Sequence, residues 1–207
     1  MNVLLYLQLI NNFLFVQIIP IDLLQLTIAE GLKSSSLNSA GFEKQSLIIC
    51  ASLIDKIPNL AGLTRTAEIF AAEKIVIPNR AIIRRDDFKS MSVGAGDHID
   101  IEECRVEHLM GWLGKMRNEK GYKIVGIEQT SSSVSITDLK FPPKVVILLG
   151  KEKEGIPVEF LDMIDVCVEI PQFGIIRSLN VHVSGALAIW DYTKQQLLAN
   201  PDVSIEG

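Results

Sequence analysis

The chain has 207 residues, 48% of them hydrophobic and 22% charged, a balance that supports a sizeable buried core and excludes a disordered or collagen-like polymer. Its 25 acidic and 20 basic side chains leave a formal charge of −5, which excludes a uniformly cationic nucleic-acid binder but not a local basic face. Cys50, Cys104 and Cys167 lie far apart with no CxxC pair, so neither a disulfide scaffold nor structural zinc is expected, and the compartment is intracellular and reducing, cytoplasm or nucleus.

No charged side chain precedes Asp22, yet Asn2, Gln8, Asn11, Asn12, Gln17 and Pro20 interrupt the apolar start. No Lys or Arg flanks it before Lys33. These features argue against both a membrane span and a signal peptide. The expectation is an apolar helical segment whose packing partner lies elsewhere, with no membrane partner. Ser34, Ser35, Ser36, Asn38, Ser39 and Gly41 read as a linker. The chain thus divides into residues 1–40 and a domain over residues 41–207.

Short apolar runs follow at Leu47–Ala51, Ile75–Ile77, Ile124–Ile127, Val145–Leu149 and Val166–Ile170. Most are continuously apolar, as strands covered on both faces are. Helix patterns fall between and after them, at about 62–72, 105–119, 156–164 and 178–197. The alternation predicts an α/β fold with a mostly parallel sheet and helices on both faces. In such sheets ligands bind beyond the carboxyl ends of the strands, which directs attention to the loops after Leu149 and Ile170.

Three loops stand out. In Pro58–Phe70, Leu63, Ala67 and Phe70 form a helical apolar stripe, and Arg65 projects about 200° away from Leu63. Gly150–Pro157 follows the strongest strand; Ile156 and Pro157 occupy the places where a phosphate loop needs Lys and Ser/Thr, so ATP chemistry of that kind is excluded. Gly94-Ala95-Gly96 lacks the third glycine and the preceding strand of a dinucleotide site. In Ile170–Asn180, Ser178 can cap the last helix, and Asn180 can make a local backbone hydrogen bond. Leu179, Val183, Ala186, Leu187 and Trp190 then form one apolar stripe.

Taken together and in this order, the three loops resemble the motifs of the SpoU/TrmH family, RNA ribose 2′-O-methyltransferases of the SPOUT class. The matching residues are Asn59, Gly62 and Arg65-Thr66; Leu149-Gly150-Lys151-Glu152 with Gly155-Ile156; and Ile170-Pro171, Gly174 and Ser178-Leu179-Asn180-Val181. The likeness runs from about Leu47 to the final helix. Within the family it points to the C-terminal methyltransferase domain of a long protein otherwise built of helical repeats.

The resemblance implies a C-terminal trefoil knot and S-adenosylmethionine (S-adenosyl-L-methionine) as cofactor, bound largely through main-chain groups. Carried over, the cofactor-binding residues are Gln129, Thr130, Leu149, Gly150, Ile170, Gln172 and Leu179. The catalytic set is Arg65, Asn59, Glu152, Ser178 and Asn180. The family also works as homodimers, Arg65 reaching the cofactor held by the other subunit, with the final helix as the expected dimer face. The implied substrate is RNA, foremost the D-loop guanosine at position 18 of tRNA. A guanidinium stays protonated up to a pKa above about 12, so Arg65 is expected to fix a substrate phosphate and stabilise the developing alkoxide.

An RNA substrate needs local positive charge. Lys74, Arg80, Arg84, Arg85 and Lys89 form one basic segment; Lys115, Arg117, Lys120 and Lys123 form another. Aromatic residues make up 6% of the chain, so base stacking is not the expected means of recognition. His98, His108 and His182 share no ligand spacing and no metal is expected. Two other readings remain open: a non-catalytic knotted RNA-binding or assembly module, and a flavodoxin-like domain for another small ligand.

Overall fold

The computed structural model describes residues 43–176 and 178–199. The apolar segment and linker of residues 1–40 lie outside the described residues.

Seven strands form one sheet: β1 (Gln45–Cys50), β2 (Ala72–Ile77), β3 (Asp100–Glu103), β4 (Lys123–Ile127), β5 (Val134–Ser135), β6 (Val145–Leu149) and β7 (Val166–Glu169). Their order is β3-β2-β1-β6-β4-β7-β5, and every pairing is parallel. Among the described residues the α-helices are α1 (Ile57–Ile69), α2 (Asp86–Ser92), α3 (Val106–Asn118) and α4 (Val181–Ala199).

Side-chain alternation divides the core in two. Leu47, Ile49, Ile75, Ile77, Val145, Ile147 and Leu149 face α1 and α4, against Leu60, Leu63, Ala67, Ala188, Ile189 and Tyr192. Ile48, Cys50, Val76, Ile124, Val146 and Leu148 face α3, against Leu109, Leu113 and Met116. β6 is buried along its whole length, as a central strand covered on both faces must be. The continuously apolar runs of the sequence are therefore the middle of the sheet.

Chain order creates the crevice. β1, β2 and β3 extend the sheet in one direction, whereas β6 later inserts between β1 and β4, and β7 between β4 and β5. The carboxyl ends of β4, β6 and β7 are thereby neighbours, and the loops leaving Ile127, Leu149 and Glu169 converge.

Several boundaries differ from expectation for identifiable reasons. α1 begins at Ile57 because Pro58 occupies its first turn, where no amide hydrogen is needed. The region near 156–164 is a 3₁₀ segment, Val158–Met163, entered from Pro157. β3 was hidden by its acids, which an edge strand tolerates. α2 lies inside the expected basic segment, with Asp86 and Asp87 in its first turn. No helix among the described residues is long and apolar enough to cross a membrane.

Candidate functional site

The loop after β6 folds back on itself. Lys151 N–H donates to the Gly155 carbonyl at 2.9 Å, and Gly155 N–H to the Lys151 carbonyl at 3.1 Å. Gly155 adopts φ +70°, a left-handed conformation suited to glycine. A Cβ on Gly150 would lie 2.6 Å from the Ile156 nitrogen, so this crossing of backbone on backbone excludes any side chain. Glu128, at the end of β4, fixes the turn: its Oε2 accepts from Ile156 N–H at 2.7 Å.

Under this loop lies a cavity of about 270 Å³. Ile127, Leu149, Val168, Ile170 and Leu179 give it apolar walls, and Glu128, Gln129, Gly150, Glu152, Glu169, Gln172 and Ser178 add polar and main-chain groups. Of the seven residues expected at the cofactor, Gln129, Leu149, Gly150, Ile170, Gln172 and Leu179 line it. Thr130 does not: its N–H donates to Ser133 Oγ at 3.3 Å and its carbonyl accepts from that hydroxyl at 2.9 Å, closing a turn.

A second cavity of about 350 Å³ adjoins the first and shares Glu152, Ser178, Leu179 and Val181 with it; Lys56, Pro58, Asn59 and Asn180 complete its lining. Asn59 is buried and donates from Nδ2 to Glu152 Oε1 at 2.9 Å. Its Oδ1 accepts from Asn180 Nδ2 at 3.0 Å. Asn180 Oδ1 in turn accepts from His182 N–H at 2.9 Å and Val183 N–H at 3.4 Å. Asn180, not Ser178, is therefore the side chain that caps α4.

Four of the five expected catalytic residues, Asn59, Glu152, Ser178 and Asn180, thus meet at this second cavity. Arg65 lines neither cavity. It is exposed on α1. α1 and α4 are held in close register: a Cβ on Gly62 would enter the His182 ring. Thr66 Oγ1 stands 3.1 Å from His182 Nε2, and burial lowers the pKa of that imidazole.

Glu128 was not anticipated as a site residue. Its signal was an acid placed directly after the apolar run of β4, beside Gln129-Thr130. Cys50 and Cys104 belong to the interior rather than the site: desolvation pushes Cys50 up to about 12 and Cys104 to about 11.

The two basic segments separate. Arg80, Arg84 and Lys89 follow the carboxyl end of β2, on the same sheet edge as the cavities. Lys74 is drawn into a 3.2 Å pair with Glu102, and Arg85 into a 2.9 Å pair with Asp87. The second segment lies at the opposite edge, where β4 begins; there Lys123 pairs with Asp165 at 3.1 Å, and Arg117 Nη1 donates to the Asp162 carbonyl at 3.3 Å. Only the first segment shares an edge with the cavities.

The SpoU rRNA Methylase family profile matches residues 46–190, an interval containing all three loops and both cavities. The chain belongs to the SpoU family. It is 50% identical over 152 residues to the Mus musculus "tRNA (guanosine(18)-2'-O)-methyltransferase TARBP1", covering 73% of this chain and 10% of that protein. It is 34% identical over 155 residues to the Saccharomyces cerevisiae "tRNA (guanosine(18)-2'-O)-methyltransferase", covering 74% of this chain and 11% of that protein. The chain thus spans about a tenth of the length of these two SpoU relatives.

The SpoU fold is equally evident in solved structures. An "AdoMet bound rRNA methyltransferase" from Sinorhizobium meliloti superposes with a TM-score of 0.65 at 21% identity, over 73% of this chain and 57% of that one. A TrmH/SpoU tRNA modifying enzyme from A. aeolicus gives 0.63 at 18% identity, over 89% of each chain. The mostly parallel sheet expected from the alternating pattern is the sheet of this family.

Proposed function

We propose that this chain binds S-adenosylmethionine in the cavity under Gly150 and methylates a ribose 2′-hydroxyl of RNA, with guanosine 18 in the D-loop of tRNA as target. The observation that carries the reading is the Glu152–Asn59–Asn180 relay, which ties all three motif loops together at the rim of that cavity. The names of the mouse and yeast relatives support the choice of tRNA and position.

The cavity fits the cofactor in chemistry. Leu149, Ile170 and Leu179 offer flat apolar walls for a purine, the exposed main chain of the surrounding loops offers donors and acceptors for its edges, and the Gly150 crossing leaves no side chain to block it. S-adenosylmethionine, when bound, supplies an activated methyl group on a sulfonium.

The protein's own task is to orient the hydroxyl and manage its proton. Asn59 and Asn180 hold Glu152 and the start of α4 in fixed relation, and Ser178 faces the space between the cavities. Arg65 holds the substrate phosphate and stabilises the developing alkoxide, the proton passing to that phosphate or to water. Arg80, Arg84 and Lys89 extend the RNA-binding face along the same sheet edge.

The protein acts as a homodimer in which Arg65 serves the partner's site. α4 supports this: beside its buried face it carries Val183, Leu187 and Trp190, each between 41% and 48% exposed. The family's trefoil knot, a domain over residues 41–207 and a cytoplasmic or nuclear location complete the reading.

The test is transfer of labelled methyl from S-adenosylmethionine to unmodified tRNA, followed by nucleoside mapping. Label in 2′-O-methylguanosine at position 18 is the expected result. Cofactor binding without transfer to any RNA would favour a non-catalytic RNA-binding module, and absence of cofactor binding would overturn the reading.

A further inference from the structure

We propose that Lys56, at the lip of the second cavity, grips a phosphate of the RNA strand whose nucleotide is methylated. The inference rests on the reading of the first cavity as the cofactor site and names a residue that the three motifs do not contain.

The two cavities share Glu152, Ser178, Leu179 and Val181, so a molecule in the second lies directly against the occupant of the first. The two amides in its lining are already committed. Asn59 is spent on Glu152 and Asn180, and Asn180 on Asn59 and the first turn of α4. They form a fixed floor. Three groups have no partner among the described residues: the Ser178 hydroxyl and Glu152 Oε2, in the wall common to both cavities, and the Lys56 ammonium, on the lip.

Lys56 makes no ion pair or side-chain hydrogen bond among the described residues, whereas Lys151, on the neighbouring loop, is held by Glu154 at 2.8 Å. Lys56 also occupies the N-cap position of α1, with no side-chain cap, where the helix dipole adds to the pull on an anion. The lining therefore runs from a free cation at the lip to hydroxyl and carboxylate groups beside the first cavity. A ribonucleotide has the same polarity, an anionic phosphodiester at one end and a hydroxyl-bearing sugar at the other.

The experiment measures binding of fluorescently labelled, unmodified tRNA transcript to the full chain by anisotropy, at salt from about 50 to 200 mM. Wild type, Lys56→Gln and Lys56→Arg are compared, each also titrated calorimetrically with S-adenosylmethionine. Loss of one phosphate contact lowers the salt slope by about one. Lys56→Gln is expected to weaken RNA binding several-fold with that change of slope, to leave cofactor affinity unaltered, and to be rescued by Lys56→Arg. RNA affinity and slope equal to wild type would overturn the proposal, as would a wild type that binds no RNA, or a parallel loss of cofactor affinity in Lys56→Gln. Failure of wild type to bind the cofactor overturns the functional reading instead, while the RNA comparison still judges Lys56.

Discussion

Asn59 stands between Glu152 and Asn180, donating to the first at 2.9 Å and accepting from the second at 3.0 Å. These partners lie 93 and 121 residues further along the chain, so one buried amide joins three loops that the sequence keeps far apart. An amide suits this place, because the site needs a donor toward a carboxylate and an acceptor toward an amide, and Asn carries the two on separate atoms.

Asn59→Asp therefore sets a second carboxylate against Glu152, while Asn59→Ala removes the partner of Glu152 Oε1 and of Asn180 Nδ2. Glu152 is half-buried and Asn180 exposed, so water can replace what is lost and each bond is worth about 0.5–1.5 kcal/mol. Urea denaturation is expected to lower stability by that order for Asn59→Ala and by more for Asn59→Asp at neutral pH. On acidification the gap between the two variants narrows as a proton is shared between the carboxyls.

Gly150 is a separate constraint, on shape rather than charge. A Cβ there meets the Ile156 nitrogen at 2.6 Å, and neither main-chain segment can yield like a flexible side chain. Gly150→Ala must displace the loop that roofs the first cavity. Cofactor affinity is expected to drop at least about tenfold, or ~1.4 kcal/mol. Glu128→Ala, which frees Ile156 N–H, loosens the same loop and is expected to fall between Gly150→Ala and wild type. Isothermal titration with S-adenosylmethionine reads both.

His182 makes the α1–α4 contact sensitive to pH. Burial lowers its native pKa below the unfolded value of about 6.5. Above 6.5 both states are neutral and the contact contributes its full stability. As pH falls, the unfolded chain takes up a proton first, so stability is lost between that value and the lower native pKa. Urea midpoints measured from about pH 7.5 to 5 should decline in wild type, with a shallower decline in His182→Gln.

The sequence made the middle of the sheet legible because β1, β4, β6 and β7 are apolar runs bounded by polar or glycine residues. It made the candidate site legible through combination: Asn59, Glu152, Ser178 and Asn180 are ordinary singly, and the resemblance of the three loops, in order, to the SpoU/TrmH motifs marked them. What stayed hidden depended on contacts across the fold. Asp100, Glu102 and Glu103 leave no apolar run to mark a strand, yet Ile75 and Ile77 recruit the segment as an edge strand. The stripe Val183–Leu187–Trp190 is apolar, but α4 buries Gly185, Ala188, Ile189 and Tyr192 instead. A helix apolar on two sides cannot reveal from periodicity which side faces its own sheet.

That second apolar side bears on where Arg65 acts. Arg65 lines neither cavity of its own chain, while Ile69, on the same helix, is 60% exposed and Phe70 stacks on Trp190 at 5.7 Å. Leu187→Glu, which places a charge within the outer face of α4, is expected to yield monomers in light scattering and to abolish methyl transfer. Mixing two other variants then tells whether Arg65 acts within its own subunit or across the pair. Arg65→Ala retains an intact cavity without its guanidinium, and Gly150→Ala retains the guanidinium without an intact cavity. At a cofactor concentration well below what the Gly150→Ala cavity needs, each alone is expected to show little activity. Refolded together, they form mixed dimers in which the Arg65→Ala cavity receives Arg65 from its neighbour, and activity returns. If Arg65 served its own subunit, no mixed dimer would hold a complete site and the mixture would stay silent.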